Sequence, residues 1–171
     1  MKKLFALLLA LCLLCSVAAF AEEAAAPYTI NMDAIPEGYT MSQQNVNGDI
    51  ALEFQPEAEN MPVYFGSVAF SEVFDGYTLN IADLSEDDKA QVAEMFGADY
   101  NNPTFDFTRK TTHGSDLIIM QENGAETDSA EIVTIWQGYF ITIGVYGVEE
   151  ITEDMLETAI TILSDLWVVA E

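Results

Sequence analysis

The chain has 171 residues, 50% of them hydrophobic, with 29 acidic side chains against 5 basic ones and a formal net charge of −24. That length supports one ordinary domain and not two, and the hydrophobic share excludes wholesale disorder. The charge excludes nucleic acid as a partner, because phosphate recognition requires clustered Lys and Arg.

The chain opens like an export signal. Met1-Lys2-Lys3 is a short positive start, Leu4 to Leu14 is an apolar run, and Ala19-Phe20-Ala21 supplies the small residues that signal peptidase accepts. A cleaved secretory signal over residues 1–21 is therefore expected, with the mature chain starting at Glu22. The apolar run falls short of the roughly 20 residues of a membrane span. Leu11 and Leu14 stand where lipoprotein processing at Cys12 or Cys15 would want a small residue. Lys2 and Lys3 leave with a segment that holds no acid, so the mature chain carries 29 acids and 3 bases, net −26. Both cysteines leave with it, and an exported domain without disulfides must rely on its core. The expected location is secreted, extracellular or in the envelope of a bacterial cell, with no membrane span after cleavage.

Residues 22–27, rich in Ala and Glu, read as a flexible lead, and residues 28–171 as a single domain. Tyr28 to Met32 alternates like a strand. Ile35-Pro36-Glu37-Gly38-Tyr39 reads as a turn, and Asn47-Gly48 as a hairpin signal before Ile50, Leu52 and Phe54. Val63 to Phe70 is a further strand. Ser85-Glu86-Asp87-Asp88 opens a helix, with serine capping the first turn and three acids facing the helix dipole. Val92, Ala93 and Phe96 share a face of that helix, and Gly97 stops it.

Strands then follow one another. Phe105 and Phe107 alternate, Leu117 to Met120 is apolar, Ile132 to Trp136 alternates, and Tyr139, Ile141, Ile143 and Val145 share a face. Gln137-Gly138 suits a tight hairpin between the last two. Thr152 caps a closing helix whose apolar stripe comprises Met155, Leu156, Ala159, Ile160, Ile162, Leu163, Leu166 and Trp167. The order is strands, helix, four strands, helix. It predicts an α+β fold, an antiparallel sheet with two principal helices packed on it.

This layout, with Pro36-Glu37-Gly38-Tyr39 at its opening, Thr112-His113-Gly114 before a strand, and Gly138-Tyr139-Phe140-Ile141 leading to the last helix, resembles the PsbP-like family. The family is named for an extrinsic subunit of the photosynthetic oxygen-evolving complex and includes small exported bacterial proteins. The resemblance implies an accessory or binding protein and carries over no catalytic residue.

The residues themselves offer few catalytic constellations. His113 is the sole histidine, and its neighbours Ser115 and Asp116 would make a triad only if folding brought the three together in space. A turn histidine is the simpler reading. Paired carboxylates of the glycosidase kind are open to any chain with 29 acids, so they carry little information. No cofactor is expected, but the acidity permits a calcium site, with oxygens available at Glu86-Asp87-Asp88, at Asp99 with Asn101 and Asn102, and at Glu126 with Asp128. The first cluster is already accounted for by helix capping.

Gly38-Tyr39, Gly76-Tyr77 and Gly138-Tyr139 repeat a turn-then-tyrosine pattern, and Trp136 lies beside the last. Exposed rings beside hydrogen-bond acceptors would suit a sugar, whereas tyrosines that anchor strand starts would be buried. Arg109-Lys110 is the only basic pair of the expected mature chain, either a landing place for an acidic ligand or local charge relief. The expectation is a monomeric, non-catalytic binding or accessory protein with an unidentified protein or extracellular ligand. The alternatives are a carboxylate-dependent extracellular hydrolase and an acidic structural surface protein.

Overall fold

In the computed structural model, residues 28–46, 49–70, 74–97, 103–124 and 126–169 are described. Residues 1–27, where the signal and lead are expected, and Asn47-Gly48 lie outside them. In chain order the strands are β1 (Tyr28–Ile30), β2 (Tyr39–Val46), β3 (Asp49–Pro56), β4 (Val63–Phe70), β5 (Thr104–Asp106), β6 (Ile118–Glu122), β7 (Asp128–Trp136), β8 (Tyr139–Val148) and β9 (Trp167–Val169). The helices are α1 (Glu86–Gly97), between β4 and β5, and α2 (Glu153–Asp165), between β8 and β9. Short 3-10 turns cover Met32–Ala34 and Ile81–Asp83.

Seven strands form one antiparallel sheet in the order β2-β3-β4-β8-β7-β6-β5, as expected of an α+β fold, and β1 pairs with β9 in a separate ribbon. Side chains alternate across a strand, so one sheet has two faces to cover. On one face, Leu52, Phe54, Tyr64, Val68, Ile132, Ile141 and Ile143 pack under Leu156, Ala159, Ile160 and Leu163 of α2. On the other, Ile118, Val133 and Ile135 pack under Phe74, Leu79, Ile81 and Val92 of α1. β7 lies under both layers, so Ile132 to Ile135 are all buried and the alternation expected there becomes a continuous run. Thr134 is the polar member of that run, and its hydroxyl donates to the Asp116 carbonyl at 2.8 Å.

The local signals work as physical devices. Ser85 Oγ accepts from the Asp88 amide at 3.2 Å while Asp88 Oδ2 accepts from the Ser85 amide at 3.0 Å, a reciprocal cap that holds the Asp88 carboxyl below its usual range. Thr152 caps α2 by accepting from the Met155 amide. Gln137 and Gly138 join β7 to β8 with φ of 49° and 91°, the paired left-handed conformation of a tight hairpin turn.

Two expectations change. The stripe read as helical through Trp167 stops at Asp165, because Trp167-Val168-Val169 is a β-favouring run and β1 supplies the pairing edge. The first strand ends at Ile30, because the Asn31 side chain accepts from the Asp33 amide and turns the chain into a 3-10 segment.

Candidate functional site

Arg109 lies in the connection between β5 and β6, which runs along α2. Its guanidinium forks onto Glu153, with Nη1 to Oε1 at 2.8 Å and Nη2 to Oε2 at 2.9 Å. Nη1 also reaches Glu157 Oε1 at 2.8 Å, and Nε donates to Asp106 Oδ2 at 3.1 Å. One cation thus holds three carboxylates from two parts of the chain. Arg109 is accordingly a clamp that relieves charge, with its donors directed at the protein's own acids.

The clamp has a pH signature. Hydrogen bonding from Arg109 holds the Glu153 carboxyl below its ordinary 4.5. Burial pushes Asp106 up, but the Thr108 hydroxyl and amide together with Arg109 outweigh it and hold it below its ordinary 3.8. Lowered folded values mean that the stabilisation is complete above the ordinary carboxylate range and disappears as pH falls through the folded values. Melting of Arg109→Gln should therefore fall below wild type at neutral pH, with the gap narrowing as pH falls through the lowered folded values of Asp106 and Glu153. A gap of the same size at neutral pH and in acid strong enough to protonate all the carboxylates would contradict the clamp.

Farther along the same connection, Thr112 Oγ1 donates to Asp165 Oδ1 at 3.0 Å. The His113 ring stacks on Trp136 at 4.4 Å between centroids, 14° from parallel, and its Nε2–H donates to the Ser164 carbonyl at 2.7 Å. Ser115 is buried with its hydroxyl on Thr111 and Thr134. The Asp116 carboxylate accepts from the Ile81 amide at 2.6 Å and pairs with Lys110. His113, Ser115 and Asp116 are each committed to different partners, so they do not form a triad. His113 is the turn residue that its setting suggested.

The tyrosines of the glycine-tyrosine pairs anchor loops and strand starts. Gly38, Gly76 and Gly138 all have positive φ. Tyr139 is only 7% exposed, Tyr39 is half-buried and donates to the Pro62 carbonyl at 3.0 Å, and Tyr77 is half-buried. Trp136 is half-buried beneath His113. Of the calcium candidates, Glu126 is exposed between β6 and β7, Asp128 begins β7, and Asp99, Asn101 and Asn102 lie outside the described residues. Among the described residues no three acidic or histidine side chains are grouped to hold a metal.

A different part of the molecule is concave. An open groove of about 520 Å³ runs between the 31–36 segment and α2, lined by Asn31, Asp33, Ala34, Ile35 and Pro36 on one side and Glu157, Thr158, Thr161 and Asp165 on the other. Asn31 builds it. Its amide donates to the Leu166 carbonyl at 2.7 Å, and its Nδ2 donates to the Asp165 carbonyl at 3.2 Å, tying the segment to the end of α2. Ala34 and Ile35 rest on the main core, which leaves the groove an apolar floor edge.

The polar chemistry of the groove is one-sided. Asp33, Glu157 and Asp165 bring carboxylates, of which Glu157 is shared with Arg109 and Asp165 with Thr112. The Thr158 and Thr161 hydroxyl protons are already donated to the Asp154 and Glu157 carbonyls at 2.8 and 2.9 Å, so these oxygens offer lone pairs. The site can accept hydrogen bonds from a ligand far better than it can donate them.

No protein-family model matches the chain, and no curated protein matches it. The fold is similar to the solution structure of cyanobacterial PsbP (CyanoP) from Synechocystis sp. PCC 6803, at 11% identity and a TM-score of 0.44, over 88% of this chain and 98% of that one. At that identity and score the likeness assigns no function. Among the described residues no helix is long and apolar enough to cross a membrane.

Proposed function

We propose that the protein is an exported, non-catalytic binding protein whose groove beside α2 takes a donor-rich organic cation, such as a polyamine or a Lys- or Arg-bearing peptide. The observation that carries the reading is the acceptor-rich lining of the groove, with the Asp33, Asp165 and Arg109-bound Glu157 carboxylates and two hydroxyls whose protons are engaged elsewhere, against one donor side chain, Asn31, already bound to the Asp165 carbonyl. Ammonium and guanidinium groups bring donors and the opposite charge, whereas carboxylate or phosphate ligands would bring neither. The apolar edge at Ala34, Ile35 and Pro36 suits the methylene stem between charged ends. Export is supported by the signal pattern at residues 1–21.

A hydrolase would need two carboxylates in one cleft with titration pushed apart. The carboxylates with displaced titration have other settings. Asp49 is raised by burial at the start of β3, Asp88 is held low by its cap, and Asp106 and Glu153 are held low in the Arg109 clamp. None of the four lines the groove.

Calorimetric titration tests it. Spermidine should bind with a stoichiometry near one at an ionic strength where matched magnesium and calcium give no comparable heat. Asp33→Asn should weaken spermidine about tenfold, equivalent to about 1.4 kcal/mol. Glu126→Gln removes the same charge outside the groove and should leave binding within about twofold. Equal losses for both variants, or magnesium matching spermidine, would reduce the effect to general screening and sink the proposal. A spermidine-binding protein indifferent to a Lys-rich tetrapeptide would identify the small amine as the ligand, and the reverse would identify a peptide.

A further inference from the structure

The sheet has a second site at which side chains are exposed and, among the described residues, no helix lies above them. α1 and the 74–84 segment cover one face over β6, β7 and Phe140 of β8. Farther across that face, pairing sets Glu53 opposite Phe65, Phe65 opposite Gly144, and Gly144 opposite Glu131, one row over four strands. Tyr146 follows Gly144 by two residues on the same face and lays its ring over the glycine, in the space that a Cβ would need. Phe65 is 44% exposed and Tyr146 40% exposed, two of the three large apolar side chains left in water among the described residues. A shallow dent lined by Glu131, Ser129 and Met120 adjoins the Tyr146 ring.

Glycine inside a strand weakens it, by about 0.5–1 kcal/mol relative to alanine. Here the missing side chain is what allows an aromatic ring to lie across the sheet. Acidic side chains flank the two rings, with Glu53 beside Phe65 and Glu131 close enough to raise the Tyr146 hydroxyl pKa after burial has done so. Two neighbouring exposed rings edged by carboxylates suit a ligand with an apolar face and protons to donate.

We infer that Phe65 and Tyr146 form a stacking platform for a pyranose ring carrying an ammonium group, with Glu53 and Glu131 receiving its amine and hydroxyl protons. A sugar ring has an apolar C–H face that stacks on aromatic rings, and the amine adds a cation beside π faces and carboxylates. The protein's 29 acids against 5 bases repel anionic sugars and favour a cationic one. The platform is independent of the groove, which lies on the α2 side of the sheet.

Amide chemical-shift mapping with a glucosamine tetramer, its N-acetylated form and cellotetraose tests the inference. The glucosamine tetramer should shift residues around 53, 65, 131, 144 and 146 and bind most tightly of the three. Phe65→Ser and Tyr146→Ser should each weaken it at least about tenfold, and Tyr146→Phe should stay within about threefold of wild type. Glu131→Gln should narrow the preference for the free amine. The wild-type map does not depend on any variant folding. Shifts confined to residues 31–36 and 157–165, equal binding of cellotetraose, or a lysine tetrapeptide producing the same shifts at the same concentration would each overturn the inference.

Discussion

Replacing Asp116 with alanine is expected to cost the fold about 3 kcal/mol, because a buried amide loses a charged acceptor and is left without a partner. Asp116 is 5% exposed. Its Oδ2 takes the Ile81 amide, its other oxygen pairs with Lys110, and its own amide donates to the Leu79 carbonyl at 2.9 Å. Those bonds join the 74–84 segment, which covers one face of the sheet, to the connection that runs along α2. A charged hydrogen bond contributes about 1.5–3 kcal/mol, and an orphaned buried donor adds about 1–3 kcal/mol. At this size the melting temperature should fall by about 10 °C. Asp116→Asn keeps an acceptor for Ile81 and should lose roughly half as much. A variant Asp116→Ala that melts within about 2 °C of wild type would show that the segment is held by its apolar contacts alone.

Leu163→Ala should be comparably damaging, at about 3 kcal/mol. Leu163 is 2% exposed and fills the layer between α2 and the sheet. Truncation removes its burial and leaves a cavity that a helix packed on the sheet closes only in part. The contrast is on the same helix. Thr161 projects into water, and Thr161→Ala should change stability by no more than about 0.5 kcal/mol. A chemical-denaturation loss below about 1 kcal/mol at Leu163 would contradict the packing of α2 described here.

How far the sequence revealed these features depends on how local their causes are. Both helix starts were legible, because a cap needs only residues three apart, Ser85 with Asp88 and Thr152 with Met155. The β7–β8 turn was legible for the same reason. The end of α2 was not, since Trp167 continues the helical stripe and leaves it only because β1, more than a hundred residues earlier, offers an edge. The groove is equally non-local, its walls brought together by Asn31 bonding to Asp165 and Leu166. Arg109 stands out in the sequence as part of a basic pair with two readings, a landing place or charge relief, and the contact that makes it a clamp comes from Glu157, 48 residues away.

The aromatics show the same limit. A turn glycine before a tyrosine marked Tyr39, Tyr77 and Tyr139, and all three are half-buried or buried. Among the described residues, the exposed tyrosine, tryptophan and phenylalanine rings are Phe65 and Tyr146. Period-two alternation does place both on the face opposite α2. Which half of that face stays bare depends on strand order and on how far α1 and its neighbouring segment extend, and neither is written in any one stretch of residues.

The central claim is that the groove beside α2 binds a donor-rich cation, and a map of amide shifts on adding spermidine tests it most directly. The prediction is saturable shifts at Asn31, Asp33, Ile35, Thr158, Thr161 and Asp165, reversed by excess amine competitor and insensitive to magnesium at equal ionic strength. Shifts scattered over acids throughout the surface, growing linearly and reproduced by magnesium, would contradict it.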